Sequence, residues 1–352
     1  MVGGIFKVEN KVFQDNMLVD QLKKDGDIRF LMSGRCAISQ CLRDNLVKGG
    51  VKRAYVPVYT CETVLAPFEQ LGFELSFYDV DRKLKPIFDR DLLKSSPIVL
   101  FTGYYGFLTY SESDVQTVKR NGHCVMQDIT HTLLNDEPYS PSADYIAGSF
   151  RKWIGVASGG IAIKKNGPFT ANPIPQHEKH LLLRRQALQM ASENQSLDAT
   201  DQVFWNGELL LREIFENQES DRESIQVITG FNTPNVVKKR RENFSYLTSK
   251  LKTLKDIELV FPELVPGVTP SHLSIYSKYR DELKIFLREN EIKTTVYWPT
   301  GPSIPKNQTF QAEYIFSNIL SLPIDQRYSF PEMDIIFEKI AEFFQTKKLI
   351  TP

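Results

Sequence analysis

The stretch ADYIAGSFRKWIGVASGGIAIKK, residues 143–165, contains two apolar runs separated by a lysine. The first run, Ala143 to Ser149, and the second, Gly160 to Ile163, have the composition of buried β-strands. Lys152 lies between them, beside a tryptophan and among Ser, Gly and Ala residues, where the pattern predicts a core. Because solvated lysines usually lie on helix faces and loops, we expect Lys152 to have either an ionic partner or a chemical role.

Apolar runs of this kind recur in the first two thirds of the chain and alternate with helical patterns, such as those at 35–48 and 64–71. This alternation predicts βαβ units and a mostly parallel sheet. The predicted strands are Arg53–Val58, Glu74–Asp79, Pro97–Thr102, Cys124–Gln127, Tyr145–Ser149 and Gly160–Ile163.

The pattern changes after residue 235. Residues 177–229 are helical and polar, whereas the later part predicts strands at 272–276 and 294–298 and helices near 281–289 and 331–345. We therefore predict a large domain at 1–235 and a small C-terminal α+β domain at 236–352.

Composition excludes several classes of function. The 352 residues include 43 basic and 43 acidic side chains, so no strong field attracts the chain to nucleic acid or to a membrane surface. The basic pairs and runs, Arg184-Arg185 and residues 238–241, lie beside acidic residues and predict solvated helix faces. No apolar run is long enough for a membrane span, and residues 1–13 lack the apolar core of a signal peptide.

The cysteines and histidines do not have metal-binding spacings. The four cysteines include no C-x-x-C pair, which indicates reduced thiols in a cytoplasmic protein. The five histidines include no H-x-x-x-H pair, so no metal is expected.

Polar residues follow the predicted strands at the edge where ligands bind in open α/β sheets. They are Tyr59–Cys61, Tyr104-Tyr105, Asp128 with His131, and Ser149 with Lys152, and Ser33-Gly34 precedes a predicted helix. Each has a structural alternative: Ser33-Gly34 and Asp128 are typical helix caps, and the tyrosines and His131 are typical packing residues.

Taken together, these residues indicate one chemistry. A lysine in a partly desolvated pocket has a lowered pKa and reacts with carbonyls. Pyridoxal phosphate carries such a carbonyl, and it also needs a phosphate site, a carboxylate for its ring nitrogen and a flat partner for its ring. The chain offers Gly34, Arg35 and Ser149 for the phosphate, Asp128 for the nitrogen, and His131 or a residue of Tyr59–Cys61 for the ring. The hypothesis is that Lys152 is a Schiff-base lysine.

The sequence resembles fold-type I pyridoxal-phosphate enzymes, and among them the DegT/DnrJ-type sugar aminotransferases. The matching segments are SGRCAI (33–38), VPVYTCETVLAPFEQLGFELSFYDVD (56–81), FTGYYG (101–106), QDITHTL (127–133), SFRKWIGVASGG (149–160) and LSLPIDQRYS (320–329). The resemblance implies an aspartate-aminotransferase-like large domain, with a mostly parallel seven-stranded sheet flanked by helices, plus the small α+β domain.

The resemblance also implies roles for single residues. Lys152 would bind the cofactor covalently and Asp128 would pair with its ring nitrogen, so these two are the expected catalytic residues. At the phosphate, the expected contacts are the backbone N–H groups of Arg35 and Cys36, the hydroxyl of Ser149, and Gly34 in the same turn. His131 would lie near the ring hydroxyl. Cys61 is at the position where relatives have an aromatic residue over the ring, so Tyr59 or His131 would stack on the ring instead.

The implied activity is transfer of an amino group, from a donor such as glutamate to a keto group on a nucleotide-linked sugar, by a homodimer.

Two features depart from the family. Three positions separate Ser149 from Lys152, where many relatives have five. Relatives also present an asparagine and an arginine to the partner's phosphate site, whereas this chain has Asn232 but Pro234 where the arginine would fall. Three alternatives stay open: another pyridoxal-phosphate reaction on an amino acid or sugar, a non-catalytic relative that binds the cofactor, and an α/β binding protein in which Lys152 only pairs with a carboxylate.

Overall fold

The main sheet has eight strands. The computed structural model describes residues 2–9, 17–47, 49–214, 216–305 and 309–350. The strands are β1 (Asp27–Leu31), β2 (Arg53–Pro57), β3 (Glu74–Val80), β4 (Pro86–Ile87), β5 (Ile98–Thr102), β6 (Cys124–Asp128), β7 (Tyr145–Ser149) and β8 (Gly160–Lys164). Their order is β1-β8-β7-β6-β5-β2-β3-β4, and the five central strands from β7 to β3 are parallel.

Helices surround this sheet and the smaller sheet of the C-terminal part. In the described ranges they are α1 (Met17–Lys24), α2 (Gly34–Val47), α3 (Glu62–Gln70), α4 (Arg90–Ser95), α5 (Glu112–Arg120), α6 (Glu178–Ser192), α7 (Leu197–Arg212), α8 (Arg222–Gly230), α9 (Thr233–Leu251), α10 (Arg280–Glu289), α11 (Ala312–Asn318) and α12 (Phe330–Ile350). Every residue of β5, β7 and β8 is buried, as expected for strands covered on both faces. Among the described helices, none has both the length and the apolar character of a membrane span.

The C-terminal part has its own small sheet and core. Strands β9 (Glu258–Leu259), β10 (Leu273–Tyr276) and β11 (Ile319–Leu322) pair antiparallel in the order β11-β10-β9. In α9, Val236 packs into the core of the main sheet, whereas Phe244 and Leu247 pack into the second core. The predicted boundary at 235/236 therefore falls in the first turn of a helix that contributes to both cores.

The six strands predicted in the large domain are confirmed to within one or two residues. The expected number of seven strands was wrong, because the two residues of β4 pair with the end of β3 and add an eighth strand. A strand of this length leaves no periodicity in a sequence. The strand expected at 294–298 was also wrong: within that range, only Thr295 forms a bridge, to Ser321.

Residues 143–165 form an antiparallel pair of strands with a tight connection. Tyr145 lies opposite Lys164, and Ser149 lies opposite Gly160. A short 3-10 helix, Phe150–Lys152, follows β7 directly. Lys152 is therefore on a turn and is exposed, not in the core that the apolar pattern predicted, while the next residue, Trp153, is fully buried.

Gly160 lets the two strands approach the start of α2. A Cβ at this position would lie 2.0 Å from the carbonyl oxygen of Ser33. Only glycine fits such a close backbone approach. The β7–β8 pair therefore holds the Ser33-Gly34 turn in place.

Candidate active site

The strand-end residues that the sequence singled out meet the first turn of α2. A Cβ added at Gly34 would lie 3.3 Å from the Cβ of Ser149 and 3.6 Å from Oγ1 of Thr130. Ser149 ends β7, and Thr130 follows the end of β6. The structure thus brings the start of a helix, a serine hydroxyl and the Asp128 loop together at the carboxyl edge of the sheet, which is a geometry suited to an anion.

Asp128 ends β6 and is 5% exposed. Its Oδ1 accepts the N–H of Thr130 at 2.9 Å. Burial raises the pKa of Asp128, and the Thr130 hydrogen bonds and the charge of Lys152 oppose that rise. A buried carboxylate of this kind favours a cationic N–H partner.

Lys152 lies on the wall of a cavity of about 460 Å³. Its Nζ is 5.6 Å from the centre of the Tyr297 ring. Its charge contributes to the pKa shifts of Asp128 and His131, so the ammonium group is close to the polar cluster.

His131 is buried and neutral. Burial, followed by the nearby His272, lowers the pKa of His131 well below its ordinary value. Its Nδ1 accepts the N–H of Tyr105 at 3.4 Å. The indole of Trp298 stacks on the imidazole, with ring centroids 5.3 Å apart and an interplanar angle of 23°.

Tyr59 does not reach the cavity wall, although the sequence placed it among the cofactor contacts. It is fully buried, its hydroxyl is 2.6 Å from that of Tyr105, and it donates to the carbonyl of Tyr297. Cys61 does lie on the wall, where it precedes α3 and its Sγ is 3.0 Å from Oγ1 of Thr63.

The first turn of α2 differs in part from the expectation. The N–H of Cys36 already donates to Oγ of Ser33 at 3.2 Å, so this group is not free for a phosphate as the resemblance implied. The Arg35 side chain is buried and lines the cavity, and its Nη1 donates to the carbonyl of Leu211 in α7. Asn232, at the position where relatives present an asparagine to the partner's phosphate site, accepts the N–H of Asn235 at 3.1 Å and caps α9.

The sequence analysis assigned two cavity residues to the surface and did not name a third. Arg184 and Arg240 were expected on solvated helix faces, but they are 4% and 1% exposed. Arg184 pairs with Glu208 at 3.3 Å, and Arg240 donates to the carbonyl of Ser271 at 2.8 Å. His272 also lines the cavity, with Nε2 3.4 Å from the hydroxyl of Tyr297. The sequence contained no periodic signal for these positions, because the elements that bury them are distant in the chain.

The fold is that of known aminotransferases. A DegT DnrJ EryC1 StrS aminotransferase from Brucella abortus shares 16% identity and a TM-score of 0.64, over 95% of this chain and 91% of that one. PseC from Helicobacter pylori, an aminotransferase involved in the biosynthesis of pseudoaminic acid, shares 13% identity and a TM-score of 0.68, over 96% and 93% of the two chains. Spr1654 from Streptococcus pneumoniae, described as a sugar aminotransferase and solved in a PLP form, shares 16% identity and a TM-score of 0.64, over 96% and 91%.

The sequence matches no protein-family model, and a search of curated proteins finds no match. The similarity to solved structures confirms the expected aspartate-aminotransferase-like fold over nearly the whole chain.

Proposed function

We propose that this protein is a pyridoxal-phosphate-dependent aminotransferase of the DegT/DnrJ type, which moves an amino group from a donor such as glutamate to a keto group of a nucleotide-linked sugar. The observation that carries the proposal is the meeting of Asp128, Ser149 and Gly34 at one sheet edge, with Lys152 close by on the cavity wall. The similarity of the fold to that of Spr1654, described as a sugar aminotransferase, supports the same class of reaction.

The residues present fit pyridoxal phosphate. Gly34 lets the start of α2 approach Ser149 and Thr130 closely, so the positive end of the helix and two side-chain hydroxyls lie together, which suits a phosphate. The buried carboxylate of Asp128 suits a protonated ring nitrogen. When bound, the cofactor supplies an electron-accepting ring and a carbonyl carbon for amino-group exchange.

The two expected catalytic residues have separate tasks. Lys152 would hold the cofactor through Nζ, and its free amine would accept and return the proton at the α-carbon of an amino substrate. Asp128 would keep the ring nitrogen protonated through its charge and a hydrogen bond. Because His131 is neutral, it does not compete with the ring nitrogen for the negative charge of Asp128.

The proposal includes a homodimer. Side chains on α6 and α7 beside the cavity are apolar and exposed: Leu182 at 65%, Trp205 at 54% and Leu209 at 54%. A second copy of the chain would cover such a surface. We also retain the division into domains at 235/236, supported by the second core, and the cytoplasmic location, supported by four free thiols.

One observation favours a second candidate, an α/β binding protein that binds no pyridoxal phosphate. The indole of Trp298 covers the face of His131, where the ring was expected. The two candidates predict different spectra, and one titration separates them.

The test is an absorption spectrum of the purified protein, titrated with pyridoxal phosphate and then with glutamate. An aminotransferase acquires a yellow band that glutamate bleaches and a keto compound restores. The K152A variant lacks the band, whereas K165A, which removes a lysine paired with Asp25 at 3.9 Å, retains it. A wild-type protein with no band in excess cofactor, or a K152A variant with full turnover, would refute the proposal.

A further inference from the structure

On one wall of the cavity, two guanidinium groups contact a single carboxylate and a third lies nearby. Nη2 of Arg151 contacts Oε1 of Glu208, and Nη1 of Arg184 lies 3.3 Å from the same oxygen. Arg35 reaches the same stretch of α7 through the carbonyl of Leu211. All of these charged side chains line the cavity.

The cluster carries more positive than negative charge. In the described part of the chain, Glu208 is the one acid that acts on Arg184, while Arg151 repels it. His180 adds no charge of its own, because burial and then Arg151 lower its pKa to about 3 and leave it neutral. Lys152 acts on the same carboxylate and adds a further positive charge. Unbalanced charge in a partly dehydrated site is costly unless a counter-ion is supplied.

Hydrogen-bond donors in the cluster lack partners. Nε of Arg184 and Nε of Arg151 are buried and have no hydrogen-bond partner among the described residues. The side chains of these two arginines are 5% and 9% exposed. A buried donor without a partner costs free energy that an acceptor on a ligand would recover.

Three other cations that line the cavity have internal partners. Arg327 makes two hydrogen bonds to the carboxylate of Asp325, at 2.7 and 2.9 Å. Lys293 binds both carboxylate oxygens of Asp201, and the guanidinium of Arg240 donates to backbone carbonyls and to Gln326. The excess charge is therefore localised at the wall formed by α6, α7 and the turn that carries Arg151.

We infer that Arg35, Arg151 and Arg184 form an oxyanion subsite that binds a phosphate or carboxylate group of the substrate. The inference rests on the proposed function for the identity of the bound molecule as a substrate. Arg151 directly precedes Lys152 in the 3-10 turn, so an anion held here lies next to the reactive amine. The phosphate of the cofactor has its own place at Gly34 and Ser149, and planar guanidinium groups suit oxyanions of either kind.

The experiment is calorimetric titration with inorganic pyrophosphate, in the presence of excess pyridoxal phosphate and separately without it. R184Q is expected to weaken pyrophosphate binding about tenfold, the loss expected for a charged hydrogen bond. The matched control is R185Q, since Arg185 is the neighbouring residue but pairs with Asp221 at 2.9 Å and is 43% exposed at its side chain. R185Q is expected to bind as the wild type does.

A second variant keeps the test decisive if R184Q folds poorly. E208Q removes the competing carboxylate and is expected to bind pyrophosphate more tightly than the wild type. Circular dichroism and Tm verify the fold of each variant. Equal pyrophosphate affinity in the wild type and R184Q, or weaker binding in E208Q, would overturn the subsite.

The source of the oxyanion is tested with pyridoxal phosphate and with pyridoxal, which lacks the phosphate. If R184Q weakens binding of the phosphorylated form alone, the cluster belongs to the cofactor and the inference is wrong. If R184Q binds pyridoxal phosphate and pyridoxal as the wild type does but binds pyrophosphate more weakly, the result supports a substrate subsite. A wild-type protein that gives no yellow band while pyrophosphate binding still depends on Arg184 would refute the proposed function and leave the anion site intact.

Discussion

Trp298 stacks on His131, with ring centroids 5.3 Å apart and an interplanar angle of 23°. The same indole lies 5.3 Å from the ring of Tyr59 and nearly parallel to that of Tyr105. The chain's own aromatic group therefore covers the imidazole face that the sequence assigned to the cofactor ring. If a pyridine ring stacks on this face of His131, the indole of Trp298 has to move away.

We expect W298A to bind pyridoxal phosphate more tightly than the wild type, by roughly two- to tenfold, because the aromatic contacts of Trp298 no longer compete. The measurement is an absorbance titration of the yellow band. F330A is the control, since Phe330 is 45% exposed and its ring stacks on Tyr246 and not on His131. Weaker binding by W298A would mean that the indole supports the ring instead of competing with it.

Asp128 provides a second prediction. Because D128N keeps the size of the side chain but removes its charge, we expect the cofactor to bind while the glutamate half-reaction slows by at least about 100-fold. Stopped-flow absorbance separates the two effects. D136N, a change at an exposed position in the same loop, should react at the wild-type rate. A D128N variant as fast as the wild type would remove Asp128 from the ring-nitrogen role.

Gly160 tests the link between the two strands and the phosphate turn. In G160A the new Cβ would lie 2.0 Å from the carbonyl oxygen of Ser33, so the turn before Gly34 has to move. We expect a loss of about 1–3 kcal/mol in the free energy of unfolding, measured by denaturant titration, together with weaker cofactor binding. G207A, in the interior of α7 where the nearest atom would be 3.5 Å away, should be neutral or stabilising. A G160A protein as stable as the wild type would show that the turn is not fixed by this contact.

The sequence predicted those parts of the molecule whose structure depends on residues close together in the chain. Strands such as β5 and β7 are buried on both faces, so they are continuous apolar runs in the sequence. The position of Lys152 was predicted by its place after such a strand, but its exposure was not, because the cavity beside it is formed by distant elements. The stacking of Trp298 on His131 joins residues far apart in the chain, and no local pattern encodes it.

Buried charges were mispredicted for the same physical reason. Arg184 lies in a polar helix beside other charged residues, which is the pattern of a solvated face, yet α7 packs against that helix and supplies Glu208. Whether a helical arginine is solvated depends on the partner helix, and a single sequence does not specify that partner.

The buried pair of Asp44 and Lys164 gives the last prediction, on stability. Lys164 Nζ lies 2.8 Å from Oδ2 of Asp44, and both side chains are almost fully buried. D44N leaves the lysine charge without its partner, and we expect a loss of about 3–5 kcal/mol in the free energy of unfolding at neutral pH. The exposed change D20N should leave stability unaltered.

The pH dependence of this pair has a definite sign. Burial alone would raise the pKa of Asp44, but hydrogen bonds from Lys164, Thr170 and Tyr145 lower it from 3.8 to about 2. Since the folded protein has the lower pKa, the contribution of Asp44 is complete above the unfolded value and is lost as the pH falls from about 4 towards 2. Denaturant titrations of the wild type and D44N across this range should therefore converge at acid pH. A difference that stays constant down to pH 2 would mean that the Asp44 charge does not stabilise the fold.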